Sequence, residues 1–168
     1  MNPSATGSVP PASPLFLREE EVRRGLELLT FGWTRLQAAT AAPLAQVGLG
    51  RAHARTLYFV ARKPGLTVGA LLRLLGITKQ SLGRVMSDLT DKGLLDVRVG
   101  AEDRRERRLH LTAAGVALEA QVFAALRDRL AAAYGAAGQQ AVTGFWQVLS
   151  GLLPPEDRAL LADLARRS

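Results

Sequence analysis

The chain contains no cysteine, which excludes disulfide staples, thiolate metal sites and thiol-based redox sensing. Histidine is nearly as scarce. Only His53 and His110 are present, with no H-x-x-x-H pair, so a zinc site would have to rely on carboxylates. There is no glycine-rich phosphate loop and no G-x-S-x-G elbow, and His110 falls in an alternating strand where a surface residue is the plainer reading than a base. These absences point away from an enzyme, and no cofactor or metal is expected. Every apolar stretch is interrupted by charge or glycine well short of the roughly 20 residues that cross a bilayer. Aromatic residues make up 5% of the chain, and none lies between positions 76 and 112, which removes the stacking platform that single-stranded RNA binders use.

What the sequence does have is a positive charge confined to one block. The net charge is +7. From Arg51 to Thr112 there are 13 Lys and Arg against 6 Asp and Glu, while the rest of the chain is balanced at 9 and 9. Charge added only for solubility has no reason to avoid both ends, whereas a phosphate-binding surface requires such a block. With 168 residues and 48% hydrophobic composition there is ample material for a core. The opening MNPSATGSVPPASP lacks a basic n-region and an apolar h-region, so residues 1–14 read as a disordered tail rather than a secretory signal, and a cytoplasmic protein is expected.

Hydrophobic spacing divides the remainder. From Leu15 to about Ala42, Leu26, Leu29, Trp33 and Leu36 recur at three and four residues, and Glu19, Glu20 and Glu21 suit the start of a helix that Pro43 ends. A loop with Gly48 and Gly50 completes residues 15–50. A second helix, Arg51 to Ala61, is closed by Pro64 and Gly65. Thr67 then caps a short helix holding Leu71, Leu72, Leu74 and Leu75, Gly76 ends it, and Thr78 caps the next only two residues later. Helices joined by so short a turn cross steeply, which is helix-turn-helix geometry.

In the second of these helices Leu82, Val85, Met86 and Leu89 form a buried stripe, leaving Gln80, Arg84, Ser87 and Asp91 opposite and Lys79, Ser81 and Gly83 on the flanks. When such a helix enters the major groove, Gln80 suits adenine and Arg84 guanine, Ser81 and Ser87 suit base or phosphate, and Lys79 suits phosphate. Gly83 would allow close approach to a sugar-phosphate wall. An ordinary solvated helix face would carry similar residues, so the helix alone does not decide.

The segment that follows does. Leu95, Val97 and Val99 alternate with Asp96 and Arg98, and Leu109 and Leu111 with Arg108 and His110, giving a two-stranded hairpin. Gly100 opens its loop, which carries Arg104, Arg105 and Arg107 on a slender projection suited to a narrow minor groove, and Thr112 caps a further helix. The expected fold is therefore mainly α with a small β-hairpin wing: a winged helix-turn-helix over residues 51–112.

The run from Thr67 to Gly115, above all Asp103-Arg104-Arg105 followed by Leu109-His110-Leu111-Thr112 and Gly115, resembles the MarR family of bacterial winged-helix transcription regulators, nearest a PetP-like branch. The resemblance implies a homodimer whose N- and C-terminal helices intertwine and whose two winged domains read successive major grooves of a pseudo-palindrome on double-stranded DNA. It implies that Arg105 enters the minor groove and that Asp103 orients the wing. Arg104 and Arg107 stand outside the motif and are expected on phosphates. The candidate DNA-binding set is thus Thr78, Lys79, Gln80, Ser81, Arg84, Ser87, Asp103, Arg104, Arg105 and Arg107. A small-molecule effector is also implied, in a crevice for which Phe31, Trp33, His53, Tyr58 and Phe59 are the aromatic and imidazole candidates, with core packing as the other role open to each.

Residues 113–168 suit dimerisation helices: one to about Tyr134 with Val116, Val122, Phe123, Leu126 and Leu130, punctuated by Gly135 and Gly138; one with Val142, Phe145, Trp146 and Leu149; and, after Pro154 and Pro155, a last one from Glu156 to Arg167. A ligand-responsive repressor is the reading that results. The other reading is a winged helix serving protein interaction or nucleic-acid architecture without an effector.

Overall fold

A computed structural model describes residues 18–100 and 103–165, which form two compact units, one ending at Arg35 and the other beginning at Leu36. The tail at 1–14, positions 15–17 of the first expected helix and the end of the last one at Arg167 lie outside the described residues. No helix among the described residues is long and apolar enough to cross a membrane.

In the first unit, α1 (Glu19–Ala38, its last three residues belonging to the second unit) opens with three glutamates, and Glu19 pairs with Arg23 one turn on. Negative side chains there meet the positive end of the helix dipole. None of its residues is buried; Leu26 is 65% and Trp33 55% exposed.

The second unit holds the core. Its first helix corrects the sequence reading, since Pro43 does not end α1 and begin a loop. Instead α1 stops at Ala38, and Pro43 is the third residue of a short α2 (Ala41–Gln46). A proline in a first turn forfeits no helical hydrogen bond, because those N–H groups have no carbonyl behind them. Leu44 of this turn is buried. Next, α3 (Arg51–Arg62) buries Ala54, Thr56, Leu57 and Val60, one residue past its expected end. After Pro64 and Gly65 come β1 (Leu66–Thr67), α4 (Val68–Leu75), α5 (Lys79–Asp91), β2 (Leu95–Val99) and β3 (Arg107–Leu111).

The wing has three strands rather than two. All pair antiparallel in the order β1-β3-β2, with Leu66 opposite Leu109 and Val97 opposite Leu109 from the other side. At two residues β1 is too short to show alternation, and its pairing depends on Leu109 coming back across about forty residues of chain. Leu57, Val60, Leu66, Leu71, Leu82, Leu89 and Leu109 close the core between helices and sheet.

Beyond the wing, α6 (Ala113–Ala137) is followed by α7 (Gln139–Gly151) and α8 (Pro155–Ala165). Gly135, expected to punctuate α6, is accommodated within it. The break comes at Gly138, whose positive φ of 81° glycine adopts without a steric penalty. Tyr134 stands edge-on to Phe145 and Trp146 across this corner and accepts the Trp146 Nε1–H at 3.1 Å. In α8, Asp163 pairs with Lys63 at the end of α3, and Leu164 is buried.

Candidate DNA-binding surface

The angle between α4 and α5 is set by the cap that starts α4 and by those within the three-residue turn from Gly76 to Thr78. Thr67 Oγ1 accepts the Ala70 N–H at 3.2 Å at the start of α4. At its end Gly76 turns left-handed, with φ 61°, and donates to the Leu72 carbonyl at 3.1 Å. Thr78 then begins α5, its hydroxyl oxygen accepting the Ser81 N–H at 3.1 Å and donating to Ser81 Oγ at 2.9 Å. Each cap of this kind contributes about 1 kcal/mol. A further support was not visible in the sequence: Arg55 on α3 donates from Nη2 to the last carbonyls of α4, Leu75 O at 2.9 Å and Leu74 O at 3.2 Å. A cation at a helix C-terminus satisfies carbonyls left without N–H partners and meets the negative end of the dipole.

With α5 held this way, Leu82, Val85 and Leu89 face the core and Met86 is half-buried beside them. Thr78, Lys79, Gln80, Ser81, Gly83, Arg84, Ser87 and Asp91 are all exposed. Ser87 Oγ reaches Asp91 Oδ2 at 3.4 Å, a weak contact that a better acceptor could replace. Nothing lies within 4 Å of a Cβ built on Gly83, so no neighbour within the chain requires glycine there.

The end of α5 is locked to the wing and to α6 by one threonine. Thr112 Oγ1 donates to the Gly93 carbonyl at 2.6 Å and accepts the Gly115 N–H at 3.1 Å, while its own N–H bonds Leu94 O at 3.2 Å. Gly115 permits this closure: a Cβ there would lie 2.1 Å from Leu94 O. The T-x-x-G spacing therefore has a mechanical meaning, because the hydroxyl caps α6 while the missing side chain admits the strand backbone.

At the tip, Asp103 Oδ1 accepts the Arg105 N–H at 2.8 Å and Asp103 O accepts the Glu106 N–H at 3.0 Å; the Gly100 N–H bonds Glu106 O at 3.0 Å. The aspartate thus spends its carboxylate on shaping the turn. Glu106 pairs with Arg108 at 2.7 Å, Asp96 with Arg98 at 2.7 Å, and Arg107 Nη1 reaches Arg104 O at 3.3 Å. Arg104, Arg105 and Arg107 are exposed, and the Arg104 and Arg105 guanidinium groups have no partner among the described residues. Glu102, the remaining candidate counterion, lies outside those residues.

The effector candidates separate. Tyr58 packs edge-on to Phe59 with ring centres 5.4 Å apart and stacks on Phe123 of α6 at 6.1 Å. Phe59 packs against the core. His53 is engaged with Gly50 and Asp88. Phe31 and Trp33 are exposed on α1, in the other unit. On α6, burial raises the Glu119 carboxyl above its ordinary range. Among the described residues no group of three or more metal-ligating side chains comes together.

Residues 47–106, which run from the end of α2 to the wing tip, match the model of the MarR family. Over 153 residues the chain is 47% identical to the HTH-type transcriptional regulator PetP of Rhodobacter capsulatus, covering 91% of this chain and 92% of that protein. The fold matches a MarR family transcriptional regulator from Silicibacter pomeroyi with a TM-score of 0.67 and 25% identity, over 80% of this chain and 89% of the other. A MarR family protein of Mycobacterium tuberculosis in complex with salicylic acid matches with a TM-score of 0.55 and 25% identity, over 75% and 93% of the two chains. The exposed outer face of α5, the arginine-tipped wing and a relative of this identity along nearly the whole length lead to one conclusion: the chain belongs to the MarR family of transcriptional regulators, which bind DNA and are not enzymes.

Proposed function

We propose that the chain is a ligand-responsive repressor that binds a pseudo-palindromic duplex operator as a homodimer in the cytoplasm. The observation that carries the DNA reading is the exposed row Gln80, Ser81, Arg84 and Ser87 on α5 together with Arg105 at the wing tip, whose guanidinium has no partner among the described residues. Gln80 and Arg84 read base edges in the major groove, Thr78, Lys79, Arg104 and Arg107 hold phosphates, and Arg105, presented by the Asp103 turn, enters the minor groove. The apolar residues left exposed on α1 and α7 support a twofold partner, since their burial would stabilise a dimer by about 25 cal/mol per Å². The Tyr58–Phe123 stack between α3 and α6 supports an aromatic effector, as does the salicylic acid bound by the Mycobacterium tuberculosis relative.

Selection of bound duplexes from a random library tests the reading. A palindromic consensus with half-sites spaced by about one helical turn is expected. Recovery of sequences with no common motif would leave an architectural nucleic-acid binder instead.

A further inference from the structure

His53 occupies the third position of α3, and its side chain is 15% exposed. Nδ1 accepts the Gly50 N–H at 3.1 Å, the service a Glu or Gln performs in a capping box. A ring nitrogen that accepts a peptide N–H carries no proton, so the neutral ring is protonated at Nε2. That N–H donates to Asp88 Oδ2 at 3.0 Å. The turn is itself anchored, because Arg51 Nη1 donates to Gln37 Oε1 at 2.9 Å. His53 is therefore a fixed donor aimed at the last turn of α5.

Its acceptor stands in a telling place. Asp88 follows Arg84 by four residues and Ser81 by seven, so on the helical wheel it lies about 40° from the first and about 20° from the second. An aspartate one turn from an arginine is a ready partner for it. Yet Arg84 makes no hydrogen bond or ion pair among the described residues, and Asp88 is held by a different helix.

We infer that His53 is a positioning residue for DNA recognition: by holding the Asp88 carboxylate towards α3, it keeps Arg84 unpaired for the operator. The role rests on the reading of Arg84 as a DNA contact. Without the imidazole, the Asp88 side chain is free to rotate onto the Arg84 guanidinium, which must then be released before it can meet a base or phosphate. An exposed pair of this kind is weak, so the expected effect is modest, about two- to fivefold in operator affinity.

The test is a mutant cycle on the full chain, read by fluorescence anisotropy with the selected palindromic duplex and by thermal melting. His53→Asn places Oδ1 where Nδ1 stood, so it keeps the Gly50 cap and is too short to reach Asp88. It should melt as the parent does and bind about two- to fivefold more weakly. Asp88→Ala alone should bind at least as well as the parent, and adding His53→Asn to it should change nothing further. In an Arg84→Ala background His53→Asn should likewise have no effect. If His53→Asn binds as the parent does, or weakens the Asp88→Ala protein by the same factor as the parent, the inference is overturned while Arg84 keeps its role. If Arg84→Ala itself binds like the parent, the reading of Arg84 falls and the inference with it.

Discussion

Helices α5 and α7 are both 13 residues long and both carry an apolar stripe, yet α5 buries Leu82, Val85 and Leu89 while α7 buries nothing. On α7, Phe145, Trp146 and Val148 remain exposed, as do Leu26, Leu28 and Trp33 on α1. The difference is in the surroundings, since α5 is clamped between α3 and β2, while α7 packs on α6. An amphipathic stripe states that a face is to be buried, and it leaves open which chain buries it.

The largest expected effect would break this contrast directly. Leu26→Glu on α1 and Val148→Glu on α7 place charge on residues 65% and 61% exposed in the single chain, so each should leave the fold intact. In a twofold dimer each counts twice, and loss of about 3–6 kcal/mol of association is expected. Sedimentation should show the 18 kDa species at micromolar concentration. If both variants stay dimeric, these faces are not the partner surface. On the other side of the contrast, Leu109→Ala removes a core side chain that touches β1 and β2 registers at once, and should lower unfolding free energy by about 2–5 kcal/mol in urea, with no dependence on protein concentration beyond the parent's.

Arg105→Ala should disturb neither half. Its guanidinium has no partner among the described residues, so the melting temperature should hold while operator affinity drops by about 1–3 kcal/mol in a mobility shift. The smallest effect belongs to α6, which has a buried face at Gly115, Leu118 and Val122 and an exposed one elsewhere. Burial raises the Glu119 carboxyl, so the folded state holds its proton more tightly than the unfolded state does. Stability should therefore fall as pH rises through the carboxylate range, and Glu119→Gln should melt slightly higher than the parent at neutral pH and no higher at pH 3. An equal gain at both values would show that the change comes from packing rather than charge.

Much of the winged domain could be read from the residues, because local chemistry sets it. The caps at Thr67, Thr78 and Thr112, the left-handed Gly76 and the alternation of Leu95, Val97 and Val99 each act within a few residues. What escaped reading acts at a distance or depends on position within an element. Pro43 is a helix breaker in the interior and harmless in a first turn, and the starting point of α2 is not marked in the sequence. Gly135 and Gly138 are the same residue type, but only the second has a backbone that turns. Strand β1 exists only because Leu109 comes to lie beside it.

The candidate site divides the same way. Arg104, Arg105 and the outer face of α5 follow from a charge count and a 100° step. The residues that hold those groups in place, Arg55 on the end of α4 and His53 on Asp88, join positions about twenty and thirty-five apart and leave no periodic trace.

The sequence by itself thus determined the winged helix-turn-helix, its charge and the polar and basic side chains exposed on α5 and the wing, because propensity, capping and periodicity are properties of neighbouring residues. Only the tertiary structure decided which stripes find cover within the chain, how the T-x-x-G closure admits Leu94, and that Asp88 is bound away from Arg84. Those outcomes depend on distances between segments far apart in the chain, which packing alone brings together.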